Sequence, residues 1–212
     1  MMKRGSFLGW VGIASLLFWT GNAQAIYTPN PAGRWAANRF FLAGDFTYNS
    51  SKDLDGGGEI KDETGFFARP AFTIARNIMI YGRLGVMDGK HLDSGFAGGF
   101  GVQGAYILPR APEWAIGGAF DFVYWKTGSG AADLDYIEYQ FTPAVSYNVP
   151  SIPQLTPYAG VMFDFLGSDF SEDKPFGLLF GTNFDPTNHV RLDAQFRVIS
   201  ETGFFMSAGY MF

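Results

Sequence analysis

Near the end of the chain, Val190, Leu192, Ala194, Phe196 and Val198 alternate with Arg191, Asp193, Gln195 and Arg197. After a short connection at Glu201-Thr202-Gly203, Phe204, Met206, Ala208, Tyr210 and Phe212 alternate with Phe205, Ser207, Gly209 and Met211. Successive side chains on a strand point to opposite faces, so each run reads as a strand with one apolar face. The same period of two predicts eight earlier strands, over residues 39–49, 64–75, 78–87, 95–108, 114–125, 134–147, 157–166 and 175–184. Stretches rich in Gly, Pro, Asn or charge separate them, as turns and loops require. Pro70 falls inside the second strand, where it removes a ladder hydrogen bond.

A sheet in water has no need to carry one apolar face so regularly. A closed barrel in lipid does, because its outer side meets hydrocarbon and its inner side faces the lumen. The pattern therefore predicts an all-β fold: a single closed antiparallel up-and-down transmembrane barrel of ten strands. Ten is even, which brings both ends of the barrel to the periplasmic side. Connections after odd-numbered strands, such as 50–63 and 88–94, are mostly long and polar. Those after even-numbered strands, such as Arg76-Asn77, are mostly short. Long loops belong outside and short turns in the periplasm. The apolar face collects Phe46, Phe66, Phe100, Phe122, Phe163 and Tyr210.

The start of the chain changes the picture by adding export. Lys3 and Arg4 precede an apolar run from Phe7 to Trp19, and Ala23-Gln24-Ala25 has the small residues of a cleavage site. Residues 1–25 read as a cleaved signal peptide, 26–38 as a lead-in without a period, and 39–212 as the barrel domain. Aromatic residues make up 18% of the chain, an excess suited to interfacial girdles. Cysteine is absent, which removes disulfide staples, thiol catalysis and zinc thiolates. A net charge of −5 with no basic stripe speaks against a nucleic-acid partner.

Several pieces of the chain resemble a known family. They are Pro157-Tyr158-Ala159-Gly160-Val161, Phe176-Gly177-Leu178-Leu179-Phe180-Gly181, the charged strand from Val190, and the ending Gly209-Tyr210-Met211-Phe212. Together they are similar to the outer-membrane β-barrels of Gram-negative bacteria, and among these to the small OmpA-like or opacity-type barrels. The resemblance implies a home in the outer membrane, with lipid and lipopolysaccharide as partners. It also implies that the last strand, through Tyr210 and Phe212, is the signal read by the barrel-assembly machinery. It transfers no catalytic residue and no cofactor. Small members of that family commonly have eight strands, so eight stands as the alternative to ten.

The inward face carries the candidate chemistry: Asp45, Asp121, Glu138, Asp164 and Asp193 with Arg69, Arg83, Arg191 and Arg197. Near-balanced charge is what an enclosed polar interior needs, since a buried charge without a partner costs several kcal/mol. A selectivity constriction in a narrow pore and a salt-bridged filling of a small barrel both fit that inventory. Inward Phe41, Phe67, Tyr81, Tyr136, Tyr158 and Phe205 would narrow the lumen further, so a wide channel is not expected. Other motifs carry little. Gly99-Phe100-Gly101-Val102-Gln103-Gly104 spells a dinucleotide fingerprint but lies inside a strand rather than before a helix. His91 sits beside Asp88 and Asp93 in a predicted external loop, with no second half of a catalytic site in sight. His189 falls at a predicted turn. The acidic groups at 53–63 and 169–173 lack EF-hand spacing and read as solvated loops. Two function classes follow: a non-enzymatic barrel with a structural or surface-interaction role through its external loops, or a narrow, low-conductance porin for ions or small polar solutes. A hydrolase or acyltransferase at the rim is a distant third.

Overall fold

A computed structural model describes residues 27–54, 58–90, 92–129, 132–168, 176–199 and 201–212. Ten strands follow one another: β1 (Phe40–Leu54), β2 (Gly58–Ala75), β3 (Ile78–Lys90), β4 (Leu92–Ile107), β5 (Trp114–Ser129), β6 (Ala132–Tyr147), β7 (Leu155–Ser168), β8 (Phe176–Phe184), β9 (Val190–Val198) and β10 (Glu201–Met211). Each pairs antiparallel with its chain neighbours, and β10 closes on β1 to complete the barrel. The seam registers Asp45 with Ser207 and Leu42 with Tyr210. It ends where the Phe212 amide donates to the Phe40 carbonyl at 2.9 Å.

Alternation along the strands sorts the side chains as lipid and lumen demand. Phe66 and Phe96 are 57% and 64% exposed on the outer wall, whereas Arg69, Asp121 and Arg197 are buried inside. A soluble fold would reverse this, because the large apolar side chains exposed on every strand, aromatic on nine of them and aliphatic on β3, would be hidden from water. Phe46 and Phe122 also point outward but are half-buried. Their rings pack against those of Phe66 and of Phe100 and Tyr139, at 5.0–5.3 Å between centroids.

The strands run longer than the hydrophobic pattern predicts. Residues 50–63 do not form one long loop: Ser51 pairs with Lys61 and Leu54 with Gly58. The expected loops at 88–94 and 126–133 are likewise largely strand, with Gly89 opposite Leu92 and Ser129 opposite Ala132. The expected connection at 201–203 belongs to β10, where Gly203 faces Arg197. A polar sequence reports that side chains have left the hydrocarbon; it does not report that backbone pairing has stopped. Pro70 stays within β2, registered with Leu42 of β1. Across from it lies Gly82 of β3, where an added Cβ would sit 4.0 Å from the proline ring.

The lead-in, which the sequence shows only as a stretch without a period, lies inside the barrel. Residues 27–35 run up its interior from the rim where Phe212 meets Phe40, hereafter the terminal rim. Tyr27, Thr28, Asn30, Ala32 and Trp35 are all buried.

Candidate functional site

The lumen with its inserted segment is the candidate site. At the terminal rim the β2–β3 turn supplies a clasp. Asn77 adopts a φ of 60°, a left-handed conformation that asparagine tolerates well. Its side-chain oxygen accepts from the Trp35 amide at 3.0 Å, and its own amide donates to the Trp35 carbonyl at 3.0 Å. The Trp35 ring meets Phe41 edge-on at 5.4 Å and lies 4.0 Å under the Arg191 guanidinium. Arg191 in turn holds Asp185 through two contacts of 2.6 Å, and Arg34 donates to the Glu113 carbonyl at 2.6 Å.

One level deeper, the segment folds on itself and onto the wall. Asn30 Oδ1 accepts from the Ala32 amide at 3.0 Å, and the Asn30 carbonyl accepts from the Gly33 amide at 2.9 Å. Asn30 Nδ2 donates to Asn183 Oδ1 at 2.6 Å, while Gln103 donates to the Asn30 carbonyl at 3.2 Å. Ser146 donates to the Ala32 carbonyl at 2.8 Å. Gly117 of β5 makes this approach possible. A Cβ at that position would lie 2.5 Å from the Pro31 carbonyl oxygen and 2.8 Å from Ala32 Cα.

At the inner end of the segment, Thr28 Oγ1 donates to Asp121 Oδ2 at 2.9 Å and touches Gln140 Oε1. Gln195 donates to the Thr28 carbonyl at 2.9 Å. Tyr27 stacks on Phe205 with centroids 6.2 Å apart, and Arg69 lies 5.5 Å from the Tyr27 ring centroid. The segment thus bonds to β4, β5, β6, β8 and β9, satisfying buried backbone groups that water would otherwise have to reach.

The nine charged residues that the sequence pattern directs inward sort into groups. Arg69 grips Asp45 through Nε at 2.8 Å and Nη2 at 3.1 Å, with Nη2 also 3.1 Å from Ser207 Oγ. Asp121 is a hub: besides Thr28 it accepts from Arg83 at 2.5 Å and from the Tyr81 hydroxyl at 2.8 Å. Three donors converge on that carboxylate, which offsets its removal from water. Asp193 accepts from Tyr158 at 2.8 Å and from Asn183. Arg197 donates to Gln195 and Gln140 and lies 4.6 Å from the Phe205 ring centroid. Asp164 accepts from Gln140 at 2.5 Å, and Glu138 is buried on the same strand as Gln140. Arg191 stands apart from the other eight, paired with Asp185 at the rim.

Sequence reasoning did not assign Tyr27, Thr28, Asn30 and Trp35 to this network; alternation does place Gln103, Gln140, Ser146, Asn183 and Gln195 on the inward face, without naming them as members of it. The uncharged wall residues carried a weak signal, an inward position on a patterned strand. The segment carried only its composition: two prolines, a glycine, an asparagine and two aromatics, unable to pair as a strand yet rich in hydrogen-bonding groups. Gly99 to Gly104 lie within β4, so no helix N-terminus exists there to hold a phosphate. Tyr136 is registered opposite Trp125 along the backbone. His91 lies outside the described residues, and no cluster of metal-binding side chains occurs among the described ones. His189 is exposed at the terminal rim, its Nδ1 2.8 Å from the Met211 carbonyl oxygen and its ring stacked on Tyr210.

No family model and no curated protein matches the chain. Solved structures match it in fold. The translocator domain of the autotransporter NalP from Neisseria meningitidis gives a TM-score of 0.51 at 12% identity, covering 84% of this chain and 89% of that one. An outer-membrane channel from Pseudomonas putida F1 gives 0.52 at 10% identity, covering 88% and 99%. The likeness is one of fold. With the apolar outer belt and the enclosed polar lumen, it makes this chain a small outer-membrane β-barrel of ten strands rather than eight.

Proposed function

We propose that this outer-membrane barrel works closed, as a non-enzymatic protein with a structural or surface-interaction role, its lumen stoppered by residues 27–35. The observation that carries this reading is the seat of Thr28, hydrogen-bonded at the heart of the lumen to Asp121 and Gln195 and in contact with Gln140. The terminal rim is then periplasmic, in keeping with the even strand count, and the polar ends of β1 to β7 project outside among lipopolysaccharide headgroups. Surface partners would meet those projecting hairpins, while the paired charges inside fill and stiffen the wall.

Recordings in planar bilayers test this. The full-length exported chain should be electrically silent, and a chain lacking residues 27–35 should show small, steady conductance steps. Steady conductance of the intact chain, altered when Arg83 or Arg191 is neutralised, would overturn the closed reading in favour of a narrow porin. That second reading has one observation behind it: the seat is polar, so a vacated lumen would fill with water.

A further inference from the structure

The two ends of the barrel differ in the sign of their charge. Away from the terminal rim, the described strands carry Asp53, Glu59, Asp88, Asp93, Asp133 and Asp135 against Lys52, Lys61, Lys90 and Lys126. Among the described residues the terminal rim holds no lysine. Its cations are arginines of two kinds. Arg34 and Arg191 belong to the clasp, the first bonded to the Glu113 carbonyl at 2.6 Å and the second paired with Asp185. Arg39, Arg76 and Arg110 are exposed and form no ion pair among the described residues. Arg39 makes one long contact, 3.4 Å to the Phe212 carbonyl oxygen.

These three lie on a continuous arc from β1 to β5, and hydrogen bonds fix the backbone that bears them. The Arg39 amide donates to Thr73 Oγ1 at 2.8 Å, and the Asn77 carbonyl, beside Arg76, accepts from the Ala105 amide at 3.0 Å. The turn with Arg110 is closed by the Leu108 amide on the Trp114 carbonyl at 3.1 Å. With neighbouring strands ~4.8 Å apart, successive arginines are spaced roughly 7 and 10 Å along the rim. Each also marks the edge of the apolar wall. Exposed Phe40 follows Arg39, Ile74 and Ile78 flank Arg76, and Tyr106 and Trp114 bracket Arg110. The Trp114 ring packs on Tyr147 with centroids 4.7 Å apart, and such amphipathic rings sit at headgroup level. The rest of the rim differs: the turns after β6 and β8 expose Gln154, Asn188 and His189.

We infer that Arg39, Arg76 and Arg110 form a docking surface for anionic phospholipid, with the guanidinium groups holding headgroup phosphates where the hydrocarbon ends. A guanidinium offers phosphate two parallel N–H donors on a fixed fork, and its long apolar stem reaches the interface without strain. One cation near a negatively charged lipid surface raises local affinity about fivefold. The acidic far end repels the same headgroups, so the surface favours one leaflet over the other. The inference needs only the lipid-facing wall, and it holds whether the lumen is open or closed.

Trp114 is a natural reporter beside Arg110, because Trp35 and Trp125 are buried. The folded, full-length exported chain is placed in phosphatidylcholine vesicles containing a small fraction of brominated lipid, either phosphatidylglycerol or phosphatidylcholine. Quenching of Trp114 emission by each gives their relative affinity, with a Trp114→Phe chain as background and heat-modifiable gel mobility verifying that every barrel is folded. At low salt the parent should prefer phosphatidylglycerol by about fivefold. Arg110→Gln should bring the ratio close to one, and Arg110→Lys should keep part of the preference. Phe72, exposed and registered with Phe40, carries the reporter to the other end of the arc. In a Trp114→Phe, Phe72→Trp chain, Arg39→Gln with Arg76→Gln should abolish the preference. Lys52→Gln with Lys90→Gln, at the far end, should leave both ratios unchanged. A parent ratio near one, or a ratio that the arginine variants do not alter, would overturn the inference. So would a preference lost to inorganic phosphate but not to sodium chloride of equal ionic strength, which would assign the arginines to free anions instead.

Discussion

Asp45→Asn is the sharpest perturbation of the lumen, because asparagine keeps the shape and removes only the charge. Arg69 and Asp45 are almost fully enclosed, with side chains 2% and 1% exposed, and meet at 2.8 Å. With charge centres about 4 Å apart and an effective dielectric near 20, their attraction is ~4 kcal/mol. Removing one member of a buried pair typically costs about 3–5 kcal/mol, most of it from stranding the other charge. Here the stranded guanidinium keeps Ser207 and the faces of Tyr27, Phe41 and Tyr81, at 5.5–5.7 Å. Those contacts place the expected loss at the lower end, about 3 kcal/mol. Arg69→Met in the same chain removes the stranded charge and should return stability to within roughly 1–2 kcal/mol of the parent. The assay is equilibrium urea unfolding in lipid vesicles, followed by emission of Trp35, Trp114 and Trp125, with an unchanged slope showing that the folded and unfolded states stay comparable. A loss below about 1 kcal/mol for Asp45→Asn, or a double variant as unstable as the sum of its parts, would refute the argument.

Gly117→Leu fills the space that Pro31 and Ala32 occupy and also presses on the Gly104 carbonyl of β4, so it should evict the segment while straining the wall; in molecules that keep normal gel mobility, planar-bilayer conductance steps are the expected result, and silence would count against it. Phe122→Arg puts a charge on the lipid face between Phe100 and Tyr139 and should destabilise the barrel by roughly 2–4 kcal/mol if that level lies near the bilayer midplane. An unchanged folding midpoint in lipid would contradict the assigned face. Phe212→Ala removes a ring that packs on Phe40 at 5.6 Å and on Tyr210 at 4.9 Å. Were Tyr210 and Phe212 the assembly signal, barrel yield in cells should fall severalfold, while the variant folded in detergent should stay within about 1 kcal/mol of the parent; equal yield in cells would exclude that role.

Amino-acid order alone determined the wall of this protein. Period-two alternation sets each strand's face by local geometry, so Arg83, Asp121 and Arg197 could be directed inward and Phe66, Phe96 and Phe100 outward without any knowledge of neighbours. Strand ends were less legible, because Ser51 or Thr127 can join a ladder as readily as a loop once the side chains have cleared the hydrocarbon. Only the tertiary structure decided what the lumen holds. Tyr27 to Trp35 has no repeat, and its partners on the wall lie far away in the sequence, from Asn77 to Gln195. A segment whose own hydrogen bonds are confined to one turn at Asn30 takes the rest of its conformation from the walls around it, and those walls exist only after β10 has closed on β1.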